Sequence, residues 1–294
     1  MSDCPVCHNT KTQFILKTAD YSNTGEYFDI YDCPDCGIRF THNPPIASES
    51  GRYYDNANYI SHSDTNQGII ARLYHLIRNY MLHRKYRLIK SISKDKNLLD
   101  VGSGTGYFLN YLKNRGYNVT GVEISDKARN FGNEHFGLQV RKTVEEIADS
   151  VDYKFDFITL WHVLEHLYNP EQSMMKFHEL LKSDGTLIIA LPNHNSYDSN
   201  RYQNYWAGYD VPRHLWHFNT ESFTKFANHN GFSVVAKYMM PFDPFYNSML
   251  SEKYKKGSFA IINGFVTGLI AYFKGLISTD HASSVIYILK PSKH

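Results

Sequence analysis

The chain has no cysteine after residue 36, although it runs to residue 294. Whatever its thiols do is therefore confined to the first forty residues. An excess of one charge is also missing, since Lys and Arg total 31 against 29 for Asp and Glu. That balance leaves no average electrostatic footprint for a polyanion, which weighs against nucleic acid as the main partner. No charged stretch followed by a short apolar run opens the sequence, so the expected location is the cytoplasm. Internal repeats and low-complexity segments are absent as well. Aromatic residues are plentiful, with 23 Tyr and 18 Phe beside 15 His. We read most of them as core packing.

All four cysteines stand in two pairs, Cys4-Pro-Val-Cys7 and Cys33-Pro-Asp-Cys36-Gly37. Two C-x-x-C turns can bring four thiolates into the tetrahedron that zinc prefers. Two redox pairs are the alternative. The apolar stretches Phe14-Ile15-Leu16 and Tyr27-Phe28-Asp29-Ile30-Tyr31 read as strands between the two turns. The expectation is a zinc ribbon over residues 1–45, with Cys4, Cys7, Cys33 and Cys36 as ligands. Four cysteine ligands leave no open coordination position, so this metal is structural.

The second concentrated signal is Leu98-Leu99-Asp100-Val101-Gly102-Ser103-Gly104-Thr105-Gly106-Tyr107, followed by Val119-Thr120-Gly121-Val122-Glu123. A short apolar strand ending in Asp-x-Gly-x-Gly-x-Gly marks backbone that passes close to a ligand, because glycine has no Cβ to collide. A second strand ending in a carboxylate suits a ribose. The dinucleotide fingerprint G-x-G-x-x-G fails here, because Tyr107 stands at its third glycine. A nucleoside without a pyrophosphate fits better, and S-adenosylmethionine (SAM) is the expected cofactor.

Asn43-Pro44-Pro45 forms a linker after the ribbon. A helical, tyrosine-rich connector is expected over 46–95, containing Tyr53, Tyr54 and Tyr59. Within it Ile69, Ile70, Leu73, Leu76, Ile77, Tyr80 and Met81 share one helical face. Arg84 and Arg87 break that stripe, so the helix is expected to leave the core there. From residue 96 strand and helix patterns alternate, which predicts a parallel sheet covered on both faces. Strands are expected at 97–101, 118–123, 139–141, 155–160, 186–191, 232–238 and 284–290. Pro170 opens one helix, which should end before Gly185, and Asn219-Thr220 opens another that ends at Gly231. An apolar insert lies at about 241–281. Its stretch 259–277 approaches membrane-span length, yet both flanking strands belong to one sheet. Burial in the core is the favoured reading over an interfacial segment.

At this point the chain resembles the class I SAM-dependent methyltransferases. LLDVGSGTGYFL is similar to their first motif, VTGVEIS to their ribose motif, and FDFITLWHVLEHLYNP and LLKSDGTLIIALPN to the motifs at their fourth and fifth strands. TVEEI and the pair Glu165-His166 are similar to the ubiquinone-biosynthesis O-methyltransferases. GYDVPRHLWHF resembles a narrower bacterial group that often joins an N-terminal zinc ribbon to this fold, frequently in surface-polysaccharide or natural-product pathways. The resemblance implies an α/β, Rossmann-like, mostly parallel seven-stranded sheet. It implies that Gly102, Ser103, Gly104 and Gly106 lie along SAM, with Glu123 on the ribose and Ile124 beside it. Thr143 and Val144 would edge the adenine, Leu160 and Trp161 would flank the methionyl part, and Asp100 would order the loop or the amine. Ser103 replaces a cysteine common at that position, which is harmless. No counterpart of the sugar C-methylating domain of some relatives is recognisable, so C-methylation does not carry over.

Methyl transfer from a sulfonium is an in-line displacement, and much of its acceleration comes from alignment. A hydroxyl acceptor must also lose a proton, for which histidine is the usual base near neutral pH. His162, just after the fourth strand, and His214 are the candidates; packing is the alternative role for each. Tyr209, Asp210 and Arg213 are expected to shape the acceptor pocket, with Arg213 facing an anionic acceptor. His162-Val-Leu-Glu165-His166 also matches the inverted zinc-protease pattern, but a SAM-binding pattern around it argues against proteolysis. The expected function is O-methylation of a saccharide or lipid-linked intermediate, with peripheral contact at the inner membrane face. Two alternatives are an RNA methyltransferase using the ribbon on RNA, and a non-catalytic SAM-binding assembly protein.

Overall fold

A computed structural model describes residues 3–54, 69–148 and 154–292. Tyr59 of the expected connector lies outside them. The chain opens with β1 (Gln13–Ala19), β2 (Tyr27–Asp32) and β3 (Arg39–Thr41). Next come α1 (Ile69–Ile92), β4 (Asn97–Val101), α2 (Tyr107–Lys113), β5 (Asn118–Val122), α3 (Asp126–Phe136), β6 (Val140–Arg141), α4 (Val144–Ala148) and β7 (Phe155–Trp161). They are followed by α5 (Pro170–Leu180), β8 (Leu181–Pro192), α6 (Tyr197–Tyr202), β9 (Trp216–His217), α7 (Thr220–His229) and β10 (Phe232–Met239). The last elements are α8 (Asp243–Tyr254), α9 (Ala260–Ile277) and β11 (Ser284–Pro291).

Seven strands form one sheet in the order β10-β11-β8-β7-β4-β5-β6. β4 pairs in parallel with β5 and β7, and β5 with β6, while β10 and β11 are antiparallel. The run from β4 to β8 reads as near-continuous apolar sequence because helices cover both faces of a parallel sheet. All of Phe155 to Leu160 is buried accordingly. Local chemistry fixes the helix ends. The Ser125 hydroxyl accepts the Ala128 amide at the start of α3, and Gly137 closes that helix at φ 58°. Asn219 and Ser222 form a reciprocal capping box at the start of α7.

The chain divides into two compact units. One comprises Met1–Asn56, Trp161–His178 and Ile188–His294, and the other comprises Ala57–Leu160 and Glu179–Leu187. Within the first, the three N-terminal strands, which flank the second cysteine turn, join β9 in a second sheet, β1-β2-β3-β9, where Phe40 pairs with Trp216 and Arg39 with His217. A core of Ile30, Tyr202, Trp206, Tyr209 and Val211 lies beneath it.

Three expectations need correction. Leu76 and Tyr80 of α1 are exposed, while Leu82 and Ile89 are buried. The helix therefore meets the core at its C-terminal half and does not leave it after Met81. Arg78 lies over the Tyr107 ring at 3.9 Å, and Lys85 over Phe108 at 5.3 Å. Both cations rest on aromatic faces, so basic residues do not end the packed stretch. Second, α5 ends before Gly185 as expected, at Leu180, but the next strand, β8, starts at Leu181 and not at residue 186, so it runs through Gly185. A Cβ there would come within 2.6 Å of the Leu181 side chain, so the glycine serves a close approach.

Third, α9 is not buried. Its small residues face inward: a Cβ on Gly264 would lie 2.6 Å from Met249 Cα, and one on Gly268 would lie 2.8 Å from Phe245 Cα. Close backbone contact with α8 through glycines turns the large residues outward. Ile261 is 78% and Ile277 87% exposed, with Phe265, Leu269 and Phe273 also exposed.

Candidate functional site

In the unit containing β4 and β5, the glycine loop follows β4 directly. Gly102, Gly104 and Gly106 have φ of 74°, 54° and 82°, a region that side chains with a Cβ rarely occupy. The Gly102 and Ser103 amides both donate to the Val122 carbonyl, at 2.7 and 2.9 Å, which folds the loop back over the end of β5. Glu123 leaves that strand end and accepts from the Gly104 amide at 2.8 Å through one oxygen. Its other oxygen accepts from the Ser125 amide, also at 2.8 Å. Each carboxylate oxygen retains capacity for another donor. Gly121, which the sequence reading passed over, is equally constrained, because a Cβ there would meet Leu109 at 2.7 Å and Ser103 Oγ at 2.9 Å.

Asp100 is buried at the end of β4 and accepts the Thr159 hydroxyl at 2.5 Å. Burial pushes its carboxyl up to about 7, against the Thr159 hydrogen bond and the Lys85 charge. Thr143 accepts the Glu146 amide at the start of α4, where Val144 is the first helical residue. Leu160 is buried near the end of β7, and Ile124 is exposed beside Glu123.

In the other unit, Trp161 ends β7 and His162 follows at φ 57°, an uncommon conformation for a non-glycine residue. The strain holds the imidazole between two carboxylates: Nδ1 is 3.3 Å from Glu165 Oε1, and Nε2 is 3.0 Å from Asp243 Oδ2. Burial alone would lower its pKa, but the hydrogen bonds to Asp243 and Glu165 raise it to about 10. His162 is therefore held as an imidazolium at neutral pH, and is not a ready proton acceptor as placed. Burial also pushes the Glu165 carboxyl up, yet His162 and the neighbouring imidazoles hold it below the usual range.

Arg213 does not face outward to an acceptor, as the sequence suggested. Its side chain is 1% exposed and donates to both Asp210 oxygens at 2.9 and 2.6 Å, to Asp20 at 3.0 Å, to the Tyr53 carbonyl at 2.8 Å, and to Ser22. Asp210, expected in the acceptor pocket, is primarily the partner of this guanidinium, with His214 Nε2 3.9 Å away. Tyr209 is buried too, its hydroxyl accepting from Arg39 at 3.3 Å. Sequence reasoning missed Asp20 and Asp243, because nothing local marks residues whose partners lie 193 and 81 positions away. His214 stands edge-on to His166, with ring centroids 4.6 Å apart.

At the N-terminus the two cysteine turns repeat one geometry. The His8 and Gly37 amides donate to the Cys4 and Cys33 carbonyls at 2.9 and 2.8 Å, and both residues are left-handed, at φ 58° and 71°. The turns bring Cys4 Sγ within 3.8 Å of Cys36 Sγ, and Cys7 Sγ within 3.4 Å of Cys33 Sγ. All four sulfurs lie within 4.8 Å of one another. This arrangement is consistent with a zinc ribbon.

A family model described as a methyltransferase domain matches residues 73–237. A ubiquinone biosynthesis O-methyltransferase of Dechloromonas aromatica (strain RCB) is 35% identical over 106 residues, or 34% of this chain and 46% of that protein. One of Rickettsia bellii (strain OSU 85-389) is 30% identical over 145 residues, or 46% of this chain and 59% of that protein. The chain thus spans about half the length of the curated relatives it matches. Among solved structures, a SAM-dependent methyltransferase of Archaeoglobus fulgidus superposes with TM-score 0.51 at 21% identity, covering 72% of this chain and 94% of that one. Magnesium protoporphyrin IX methyltransferase of Synechocystis PCC 6803, with S-adenosylhomocysteine (SAH) bound, gives TM-score 0.50 at 13% identity, covering 77% and 89%. The family match extends over more than half of the chain, from α1 into β10, and takes in the glycine loop and the Glu123 strand end; the chain belongs to the methyltransferase-domain family.

Proposed function

We propose that the protein is a SAM-dependent methyltransferase acting on a hydroxyl of a small molecule. The observation that carries this is the Glu123 carboxylate at the strand end, hydrogen-bonded to the Gly104 amide of a loop with three left-handed glycines. That arrangement leaves a carboxylate for the ribose hydroxyls and bare backbone for the rest of the nucleoside. Asp100, Ser103, Thr143, Val144, Leu160 and Trp161 are assigned to the same cofactor. SAM supplies an electrophilic methyl on sulfur, and the chain's residues align it with the acceptor. Of the two candidate bases His214 is favoured, because its Nδ1 donates to the Gly208 carbonyl at 2.9 Å and leaves Nε2 free to accept a proton. Calorimetry with SAH, NAD and ATP tests the cofactor: binding of SAH alone is expected, and tight NAD binding with silence toward SAH would sink the reading.

The four cysteines fit a structural zinc ion. Sulfurs bound tetrahedrally at zinc–sulfur lengths stand about 3.8 Å apart, which matches the two pairs at 3.8 and 3.4 Å. Such an ion would tie the ribbon turns together and leave no position for substrate.

The acceptor we favour is a saccharide carried on a lipid, with α9 resting on an anionic bilayer surface. Between residues 253 and 277 the chain holds Lys253, Lys255, Lys256 and Lys274 and no carboxylate. The four lysines are exposed together with the large apolar residues of α9. That combination describes an interfacial helix on anionic lipid. A crossing is inconsistent with the topology, because β10 and β11 pair with each other and keep both ends of the insert on one side.

A further inference from the structure

We propose that the outer face of α1, together with the C-terminal end of α2, binds a single-stranded nucleic acid through its phosphates. This face lies wholly within the unit that holds β4 and β5. Between residues 69 and 122 the chain has ten lysines and arginines against two carboxylates, Asp95 and Asp100. Asp100 is buried. This stretch alone is more positive than the whole chain, whose net charge is +2, so everything outside it is net acidic. The even balance of the full sequence averages two opposite regions, and a polyanion responds to the local field.

Helical spacing and packing gather the charges. Arg72, His83, Arg87 and Lys90 are separated by nearly whole helical turns, so they share one face, about 27 Å long. Arg72, Arg87 and Lys90 are exposed, as are Lys94 and Lys96 just beyond the helix and Arg115 after α2. The Arg115 guanidinium lies over the Tyr111 ring at 3.5 Å and over the Tyr86 ring at 5.3 Å. Lys90 reaches the same Tyr86 ring at 5.8 Å, and His83 Nδ1 is 3.1 Å from the Tyr111 hydroxyl. Lys96 Nζ stands 3.2 Å from the Cβ position of Gly116, the neighbour of Arg115. Two tyrosines thus hold cations from three segments side by side. One Arg115 N–H donates to the Tyr111 carbonyl at 2.9 Å, and the rest of its five-donor fork has no partner among the described residues. A planar fork held on an aromatic ring is pre-organised for phosphate oxygens.

The molecule does not answer this charge itself. Among the described residues no carboxylate pairs with Arg72, Arg87, Lys90, Lys94, Lys96 or Arg115. A bilayer fits the face less well than a strand does. Among the described residues α1 exposes only Leu76 and Tyr80 as large apolar side chains, both ahead of its basic half, whereas Leu82 and Ile89 are buried. An interfacial helix inserts an apolar face, which α9 has and α1 lacks. Clustered cations without such a face bind polyanions by releasing their counterions. Tyr80, 51% exposed two turns before Arg87, suits stacking by an unpaired base, which a single strand offers and a duplex does not.

Fluorescence anisotropy of the full-length protein with a labelled mixed-sequence RNA of about twenty nucleotides tests the proposal. Binding is expected with a log–log salt slope of about −2 to −3, the value for three or four neutralised phosphates on a single strand. Arg87→Glu combined with Lys90→Glu should weaken it at least about tenfold, and Arg115→Gln should flatten the slope by about 0.7. SAH calorimetry and urea unfolding on the same samples report folding, and the paired Gln substitutions at 87 and 90 serve if the Glu pair misfolds. Lys255→Glu combined with Lys256→Glu, in the other unit, should leave RNA affinity unchanged. No RNA binding at about 50 mM salt would overturn the proposal, as would binding that survives the α1 substitutions. Tighter binding to a duplex of the same sequence would overturn the single-strand assignment. Dependence of phosphatidylglycerol-vesicle binding, but not RNA binding, on Arg87 and Lys90 would give the face to lipid instead.

Discussion

The loop around Glu123 and the cluster around Arg213 are both polar and both lie at strand or turn ends, yet they are built in opposite ways. The first uses backbone amides and one carboxylate, all drawn from residues 102–125, and its donors are held by the loop's own turns. The second uses charged side chains from residues 20, 210 and 213, of which Asp20 and Arg213 are almost wholly withdrawn from water and Asp210 is partly buried. A backbone-built site loses little stability when one side chain is removed, because the amides remain solvated or paired. A side-chain network in low dielectric depends on every member, since deleting one strands the others. Ligand binding and folding should therefore respond to different substitutions in the two regions.

The largest effect is expected at Arg213. Arg213→Ala leaves Asp20 buried, and Asp210 partly buried, without their cation and should reduce stability by about 3–5 kcal/mol in urea unfolding. A loss under about 1 kcal/mol would mean that the two clusters do not differ in kind. His214→Ala should lower turnover by roughly 10²–10⁴-fold, as for loss of a proton-transfer or activating group, with SAH affinity nearly unchanged. Turnover at wild-type levels would remove His214 from the chemistry. At the loop, Glu123→Ala should weaken SAH binding by about 1–3 kcal/mol through lost hydrogen bonds to a charged group. Its unfolding midpoint should stay close to wild type, and a large shift would show that the carboxylate braces the loop as strongly as Arg213 braces its neighbours.

A titration sharpens the contrast between paired and unpaired buried groups. His194 is buried with neither ring nitrogen partnered among the described residues, and burial, aided by Arg39, pushes its pKa to about 3. Its folded pKa lies below the unfolded value of about 6.5, so the unfolded chain takes up the proton first. The stabilising contribution is complete above that pH and is lost as pH falls toward the folded value, on the order of 3 kcal/mol by pH 4. Replacing His194 by Gln should flatten the decline in stability between pH 6.5 and 4, and an unchanged slope would contradict the burial argument. The smallest effect on stability is expected at α9. Phe265→Glu or Leu269→Glu should change stability by no more than about 0.5 kcal/mol, because both positions are exposed. The same variants should lose flotation with phosphatidylglycerol vesicles. A wild-type protein that fails to float would leave the apolar face without its proposed partner.

The sequence by itself determined what depends on neighbours along the chain. The ribbon turns follow from cysteine spacing and a glycine or histidine at the fifth position. The parallel strands follow from short apolar runs, and the glycine loop from residues that alone tolerate its backbone angles. These are decided within a few residues, so Asp100 to Glu123 could be read as one site before any packing was known. Helix α9 shows the limit of that reading: its apolar content was visible, but only contact with α8 through Gly264 and Gly268 decided that the large side chains point outward. The state of each histidine was beyond sequence for a similar reason. His162 is an imidazolium because Asp243 arrives from a distant helix, and Arg213 is closed to substrate because Asp20 reaches it from the ribbon sheet. Residue type sets which charges a chain carries, whereas burial and partners from remote segments set which of them remain free to act.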